Sequence, residues 1–402
     1  MAQKVIIFSQ YWSPEPFPIL SYLEDYFAVK NIDLYVVTSL PNYPHSFDFY
    51  SYAFRLTPHI SSSCNITYIR LPVFPRGNNA LSRALNYISF PISLFVYLIF
   101  NQSIVHSAYI FAVAFTPLSS LFPLYFFQKN TKKSFLWIQD LWPDSFRVIL
   151  PQVIYSILAP FAFLANSFYR SFDFILLQSA AFKDFLPQFK SSPRYKILHN
   201  CFSSTQVHSF PPIANNVINI AFTGNIGYAQ NLKKVINIIS LVQQLSSDYC
   251  LRYHVYGDGA ALNETIEYCH ANNFSFVHFH GRVSSDELVS RLSSIHVLQL
   301  SLIDVYPISL TIPSKFQFYL SQNRPILSVG SGYVSDLVED KCLGHSFYLN
   351  PSEFSSELYR LNIFFETLSQ KVDFYLESSR TLYIDHYSQE SFTSVLDQLF
   401  DF

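Results

Sequence analysis

Glycine is scarce in this chain: nine among 402 residues, and a single one, Gly77, ahead of Gly224. The first half therefore has no glycine-rich loop to cradle a phosphate, and any such site belongs to the second half. Cysteine is equally sparse. Cys64, Cys201, Cys250, Cys269 and Cys342 are odd in number and lack Cys-x-x-Cys spacing, which excludes a disulfide framework and a zinc ribbon. They read as reduced thiols of a cytosolic protein. Charged residues make up 13% of the chain, about half the roughly 25% usual in soluble domains. No dense basic cluster is interleaved with aromatics, so nucleic acid is a poor partner. No histidine pairs with a cysteine or carboxylate at ligand spacing, so no metal is expected. Val5-Ile6-Ile7-Phe8 is too short for the apolar region of a signal peptide and reads as a first strand.

What the chain has in abundance is apolar surface: 50% apolar residues and 18% aromatic. The net charge of -2 hides a split, with 15 Lys/Arg against 9 Asp/Glu in residues 1–200 and 11 against 19 in residues 201–402. A basic, aromatic first half suits an anionic membrane surface or a phosphate-bearing acceptor. Ala84 to Gln128 and Val148 to Tyr169 carry no charge at all. Pro91, Pro117 and Pro123 are expected to break the first stretch into pieces too short to span a bilayer. Buried helices and strands, or an apolar face dipping into the cytoplasmic leaflet, are the alternatives.

Strands are predicted at Lys4–Ser9, Asp33–Thr38, Ile66–Leu71, Ile104–Tyr109, Ser134–Gln139, Phe174–Gln178 and Lys196–His199. Near-continuous apolar runs mark a parallel sheet covered on both faces. Residues 200–217 are polar and carry Pro211-Pro212, which makes them a boundary. A second alternation follows, with strands at 218–223, 251–256, 275–280, 296–300 and 325–329. Helices are expected at 230–246, 260–272, 284–294 and 313–322. The fold class is α/β, with residues 1–200 and 201–384 as two Rossmann-like domains facing each other across a deep cleft, and an amphipathic tail over 385–402 packing back.

Glycines follow the strands of the second half: Thr223-Gly224-Asn225-Ile226-Gly227, Tyr256-Gly257-Asp258-Gly259 and His280-Gly281-Arg282-Val283. Strand, glycine turn and helix present backbone N–H groups to a phosphate. In Ile312-Pro313-Ser314-Lys315 a proline at the first helical turn leaves Ser314 and Lys315 at an exposed helix N-terminus, where dipole, hydroxyl and ammonium meet an anion. Upstream, Glu15 is the one charge in a proline-stiffened turn, able to touch a sugar; a surface loop carboxylate is the plainer reading. Asp140 follows a strand between Trp137 and Trp142 and suits acceptor orientation or base-like assistance, with a helix N-cap as its alternative. Trp142 is placed to stack on a sugar ring or lipid. His45 follows the second strand and titrates near neutrality, although a lone loop histidine is usually solvated.

Taken in order, TGNIG, VYGDG, FHGRV, IPSK-FQFYL and RPIL, with QYWSPEPFP, TSLPNYP and WIQDLWPDS upstream, resemble the nucleotide-sugar-dependent glycosyltransferases of GT-B fold, family 4. The similarity is greatest to the branch that builds bacterial O-antigen, capsule or colanic-acid repeats, the L-fucosamine transferase type. It implies sugar transfer from a UDP-sugar with retention and without an obligatory metal. The sugar would be an N-acetylated hexosamine such as GlcNAc or L-FucNAc. The acceptor implied is a polyprenyl-diphosphate-linked glycan of lipopolysaccharide or capsule synthesis, and the protein would be cytoplasmic and peripheral on the inner membrane face.

Carried over by position, Gly224, Asn225 and Gly227 would border the diphosphate, Gly281, Arg282 and Val283 the uracil, Ser314 and Lys315 the diphosphate and sugar, and Gln317 the ribose. Gly257 belongs to the same set of loops. The chain departs from the pattern where relatives carry a Glu-x7-Glu pair, here Leu310 and Phe318, and where they carry phosphate-binding Arg and Lys, here Asn225 and Gln230. Lys315 and Arg282 then have to supply the positive charge. Two rivals keep the fold: a nucleotide-sugar epimerase, and a non-catalytic scaffold with a decayed nucleotide cleft.

Overall fold

The computed structural model describes residues 3–30, 32–43, 46–49, 55–63, 65–77, 79–116, 118–142, 162–186, 194–203 and 207–400. The chain divides into two compact units, Met1–His199 with Thr393–Phe402, and Asn200–Phe392.

The first unit is built on β1 (Lys4–Ser9), β2 (Asp33–Ser39), β3 (His59–Ser63), β4 (Ile66–Leu71), β5 (Tyr109–Ala114), β6 (Lys133–Ile138), β7 (Phe174–Leu177) and β8 (Tyr195–Ile197). Their order in the sheet is β3-β4-β2-β1-β5-β6-β7-β8. All neighbours are parallel except the β3–β4 pair. Helices α1 (Pro18–Val29), α2 (Ala80–Phe100), α3 (Leu124–Phe127) and α4 (Ala162–Arg170) accompany it. Every residue of β5 is buried, as a central strand covered on both faces requires.

Two expectations are corrected here, and one strand is added. The strand expected at Ile104–Tyr109 lies at Tyr109–Ala114, because Ser103, His106 and Ser107 are exposed and Gln102–Val105 closes into a 3-10 turn. The uncharged stretch is not cut at Pro91, since α2 continues through it for 21 residues. Phe90, Leu94 and Leu98, all fully buried, hold the helix on the sheet on both sides of the missing N–H. Strand β3, short, polar and at the sheet edge, was not expected.

The C-terminal tail belongs to the first unit from Thr393 onward. The Phe400 ring sits 4.8 Å from Phe135, 5.1 Å from Phe27 and 5.4 Å from Tyr109. Tyr26 Oη donates to Asp397 at 2.9 Å, and Lys30 pairs with the same carboxylate at 2.7 Å.

The second unit holds six parallel strands: β9 (Val217–Thr223), β10 (Cys250–Tyr256), β11 (Val277–Gly281), β12 (Val297–Ser301), β13 (Ile326–Val329) and β14 (Gly344–Phe347), in the order β11-β10-β9-β12-β13-β14. Its helices are α5 (Leu232–Gln243), α6 (Leu262–Ala271), α7 (Ser285–Arg291), α8 (Ser314–Ser321), α9 (Tyr333–Asp340), α10 (Phe354–Glu366), α11 (Leu368–Leu382) and α12 (Gln389–Asp397), the last crossing into the first unit. The apolar stripe Leu232, Val235, Ile236, Ile239 and Val242 buries α5 against the sheet.

Candidate functional site

Strand order reverses at β9, whose neighbours are β10 and β12, and at β1, whose neighbours are β2 and β5. In open parallel sheets, ligands bind at such reversals, beyond the carboxyl ends of the strands. Each unit places its candidate residues at that edge.

In the second unit the three glycine loops are laced together. Gly224 N–H donates to Tyr256 O, Ile226 N–H to Asp258 O and Gly257 N–H to Gly281 O, each at 2.8 Å. A Cβ at residue 257 would lie 1.9 Å from Gly224 O, so Gly257 serves loop packing. Gly281, by contrast, has φ +68° and open space where its Cβ would be. Gly227 N–H donates to Gln230 Oε1 at 2.9 Å, so Gln230 closes the first loop.

Lys315 reaches this loop from the first turn of α8. Its Nζ donates to Asn225 O at 3.4 Å and stands over the Phe222 ring at 3.6 Å from the centroid. Removal from water pushes its pKa down to about 7. Pro313 is the N-cap of α8 and Ser314, exposed, its first residue. The buried Tyr319 hydroxyl accepts from Thr223 N–H at 3.0 Å and donates to Gln299 O at 3.1 Å, locking α8 to the strand end before Gly224. Sequence reasoning missed Tyr319, which reads as one more apolar helix position.

Arg282 is exposed after β11 and forms no hydrogen bond or ion pair among the described residues. Val283 packs half-buried against the core. Gln317 is a correction. It is buried, and in the amide orientation that satisfies both of its polar atoms Nε2 donates to Pro313 O at 2.8 Å and Ser314 O at 3.0 Å; burial takes it away from a ribose. Phe318 is stacked edge-on against Phe202 at 5.1 Å. A third cation was missed: Lys234, exposed on α5, lines a cavity of about 260 Å³ with Asn231, Ser301, Leu302 and Asp304.

In the first unit, Glu15 is not a surface carboxylate. It is 6% exposed and accepts from the backbone N–H groups of Trp12 (2.9 Å), Asn42 (2.8 Å) and Tyr43 (2.8 Å), tying the loops after β1 and β2 together. Desolvation pushes its pKa up to about 7, against those three N–H groups and Arg76. With both oxygens engaged, Glu15 positions loops and does not meet a sugar directly.

Arg76 is buried in an aromatic box at the same edge. It donates to Tyr11 Oη at 3.1 Å and lies over the rings of Tyr43 (5.3 Å) and Tyr87 (5.1 Å). Phe17 stacks on Tyr11 at 5.1 Å and meets Phe115 at 4.9 Å. Asp140 follows β6, two strands from β1, roughly 10 Å along the edge. It is half-buried and has no hydrogen bond or ion pair among the described residues, and desolvation raises its pKa to about 6. Trp142 is a correction: only 8% exposed, it offers no stacking face to a ligand. His45 lies outside the described residues. Among the described residues, no three His, Cys, Asp or Glu side chains gather as a metal site.

No family model matches this chain, and no curated protein matches it by sequence. Solved structures do match along the whole chain. The apo lipopolysaccharide outer core galactosyltransferase WaaB aligns at TM-score 0.64 with 11% identity, over 99% of this chain and 100% of its own. WaaG, a glycosyltransferase involved in lipopolysaccharide biosynthesis, aligns at TM-score 0.61 with 13% identity, over 98% and 100%. An E. coli trehalose-6-phosphate structure bound with UDP-2-fluoro glucose aligns at 0.63 with 9% identity, over 99% of both chains. The fold is GT-B, an α/β architecture of two parallel-sheet domains.

Proposed function

We propose that this chain is a glycosyltransferase that moves a sugar from a UDP-sugar, with retention and without a required metal. The observation that carries this reading is Lys315. It stands at a helix N-terminus over the Gly224 loop, beside the strand-order reversal, in a GT-B fold. An ammonium, the α8 dipole and loop N–H groups there would stabilise the UDP diphosphate as it departs, with Arg282 and Lys234 adding charge. In the transfer, the acceptor hydroxyl oxygen bonds to the anomeric carbon on the same face from which UDP departs, as retention in one displacement requires, while the bond from that carbon to UDP breaks. The hydroxyl proton goes to the Asp140 carboxylate, whose raised pKa suits that task.

The finer reading follows the resemblance. The sugar is an N-acetylated hexosamine such as GlcNAc or L-FucNAc. The acceptor is a polyprenyl-diphosphate-linked glycan of O-antigen or capsule assembly, met at the cytoplasmic face of the inner membrane. The likeness to WaaB, a lipopolysaccharide outer core galactosyltransferase, and to WaaG, a glycosyltransferase involved in lipopolysaccharide biosynthesis, supports a role in surface-polysaccharide assembly.

The test is calorimetry with UDP, GDP, ADP and UDP-sugars, first without metal and then with it. Selective, metal-independent UDP binding that Lys315→Ala abolishes is expected; no binding of any nucleotide sinks the reading. One observation favours a non-catalytic scaffold, the packing of Phe318 on Phe202 where relatives carry a glutamate. UDP binding without turnover of any UDP-sugar would decide for it.

A further inference from the structure

Helix α2 turns one face to the protein and a different, equally apolar face to solvent. Asn86, Phe90, Leu94 and Leu98 are fully buried on the inward side. Leu81, Leu85, Ile88, Ile92, Phe95 and Ile99, spaced 4, 3, 4, 3 and 4 apart, are 37–70% exposed on the other. Only 22% of Leu81–Phe100 is buried, although the helix is long and apolar enough to cross a bilayer. Phe126, 54% exposed and edge-on to Phe95 at 6.1 Å, widens the patch. Exposed apolar side chains repeated along the length of one helix face mark a docking face.

The inward side prevents the helix from leaving to span a membrane. Gln10 Nε2 donates to Asn86 Oδ1 at 3.1 Å, and Asn86 Nδ2 donates to Phe74 O at 2.7 Å. Phe74 N–H donates to Ser89 Oγ at 2.8 Å, and Ser93 Oγ donates to Pro72 O at 2.5 Å. The helix is thus stitched to the end of β1 and to the segment after β4.

Charge decides what covers the outward face. From residue 49 through residue 139 the chain has no Asp or Glu, while Arg55, Arg83 and Lys132, all exposed, and Arg70 and Lys133, half-buried, lie within it; Arg76 is held in its box. The heptad-like spacing would also suit a second copy of α2. Two copies, however, would bring two all-cationic segments together, and the helix has no charged residue after Arg83 to form flanking ion pairs. An anionic lipid surface offers apolar depth and the opposite charge at once.

We propose that α2 is a monotopic docking helix, lying in the interface of an anionic bilayer with the Leu81–Ile99 stripe among the acyl chains. Tyr87, on the same helix, forms one wall of the Arg76 box. Docking therefore sets that box at the lipid surface, where the head of an amphiphilic acceptor would lie. This consequence rests on the lipid-linked acceptor read above; the docking itself does not.

The experiment is flotation of the full chain with phosphatidylglycerol/phosphatidylethanolamine vesicles and with pure phosphatidylcholine vesicles, at low and high salt. Wild type is expected to float with the anionic vesicles, less so at high salt. Ile88→Glu with Ile92→Glu should cut the bound fraction by about tenfold or more, and the milder Ile88→Ser with Ile92→Ser pair should lower it in the same direction. UDP affinity, measured on the same samples, should not change and reports on the second unit separately. Absence of wild-type flotation, or equal flotation of both variant pairs, overturns docking while leaving the donor reading intact. A wild-type dimer in sedimentation that the same variants split would assign the face to a second copy instead.

Discussion

The Lys315 ammonium stands 3.6 Å from the centroid of the Phe222 ring, in a place dry enough to bring its pKa down to about 7. The ring face favours the cation, but lost hydration costs more. Lys315 is therefore only partly charged at neutrality, and an arriving diphosphate selects the protonated form. Affinity for a UDP-sugar, whose diphosphate does not titrate near neutrality, should be highest below pH 7 and weaken as pH rises through it. Calorimetric titrations from pH 6 to 9 read this directly. Lys315→Ala should show no measurable binding anywhere in this range, and a flat wild-type profile would remove Lys315 from the diphosphate.

Asp140 predicts opposite effects on rate and stability. Its folded pKa, about 6, lies above the ordinary 3.8, so the folded state holds the proton more tightly than the unfolded one. That contribution to stability is full below the ordinary value and is lost as pH rises through 6. Asp140→Asn should flatten this part of the melting profile and leave the protein no less stable at pH 7. Turnover should fall by roughly 10²–10⁴, and the wild-type rate should climb through pH 6 as the base form appears. A variant with wild-type turnover would make Asp140 a bystander.

Glu15 holds three backbone N–H groups from two loops. Glu15→Gln places an amide NH2 against at least one of them and should cost about 1–3 kcal/mol in urea unfolding. Hydrogen exchange separates a loop clasp from a ligand contact. Protection at the Trp12, Asn42 and Tyr43 amides should drop in Glu15→Ala before any substrate is added.

In the first unit six of the seven expected strands fall within two residues of observed ones, and the second unit was legible as far as Val329. Its strands and helices alternate cleanly, glycines punctuate the strand ends, and a helix such as α5 has one apolar stripe. There, the expected strands fall within two residues of the observed ones and the expected helices within three, while β14 and helices α9 to α11 carried no expectation. The first unit is apolar almost throughout, so periodicity separates poorly: Ile104–Tyr109 and Tyr109–Ala114 look alike until burial distinguishes them. Pro91 was read as a breaker because local rules see the missing N–H and not the sheet that holds Phe90 and Leu94. At the site, the Lys315 position was visible as Pro-Ser-Lys, whereas Gln317 and Trp142 face inward for reasons that only packing shows. Arg76 carried no local motif at all; its box is assembled from four strand ends and a helix.

Phe400 lies at the end of a chain that has left the first unit and come back to it. Its ring fills the space between Phe27, Tyr109 and Phe135 and is 4% exposed. Truncating a buried phenylalanine removes its transfer energy and leaves a cavity, about 3–5 kcal/mol together. Asp397, three residues earlier, pairs with Lys30 at side-chain exposures of 51% and 39%, where an ion pair contributes under about 1 kcal/mol. Phe400→Ala should therefore destabilise the first unit severely, and Asp397→Ala only slightly, the lost Tyr26 bond included. Differential scanning calorimetry with and without UDP distinguishes the units. The transition that UDP raises belongs to Asn200–Phe392 and should stay in place in Phe400→Ala, while the other falls. Equal losses in both variants would mean that the tail is held by its charges and not by the ring.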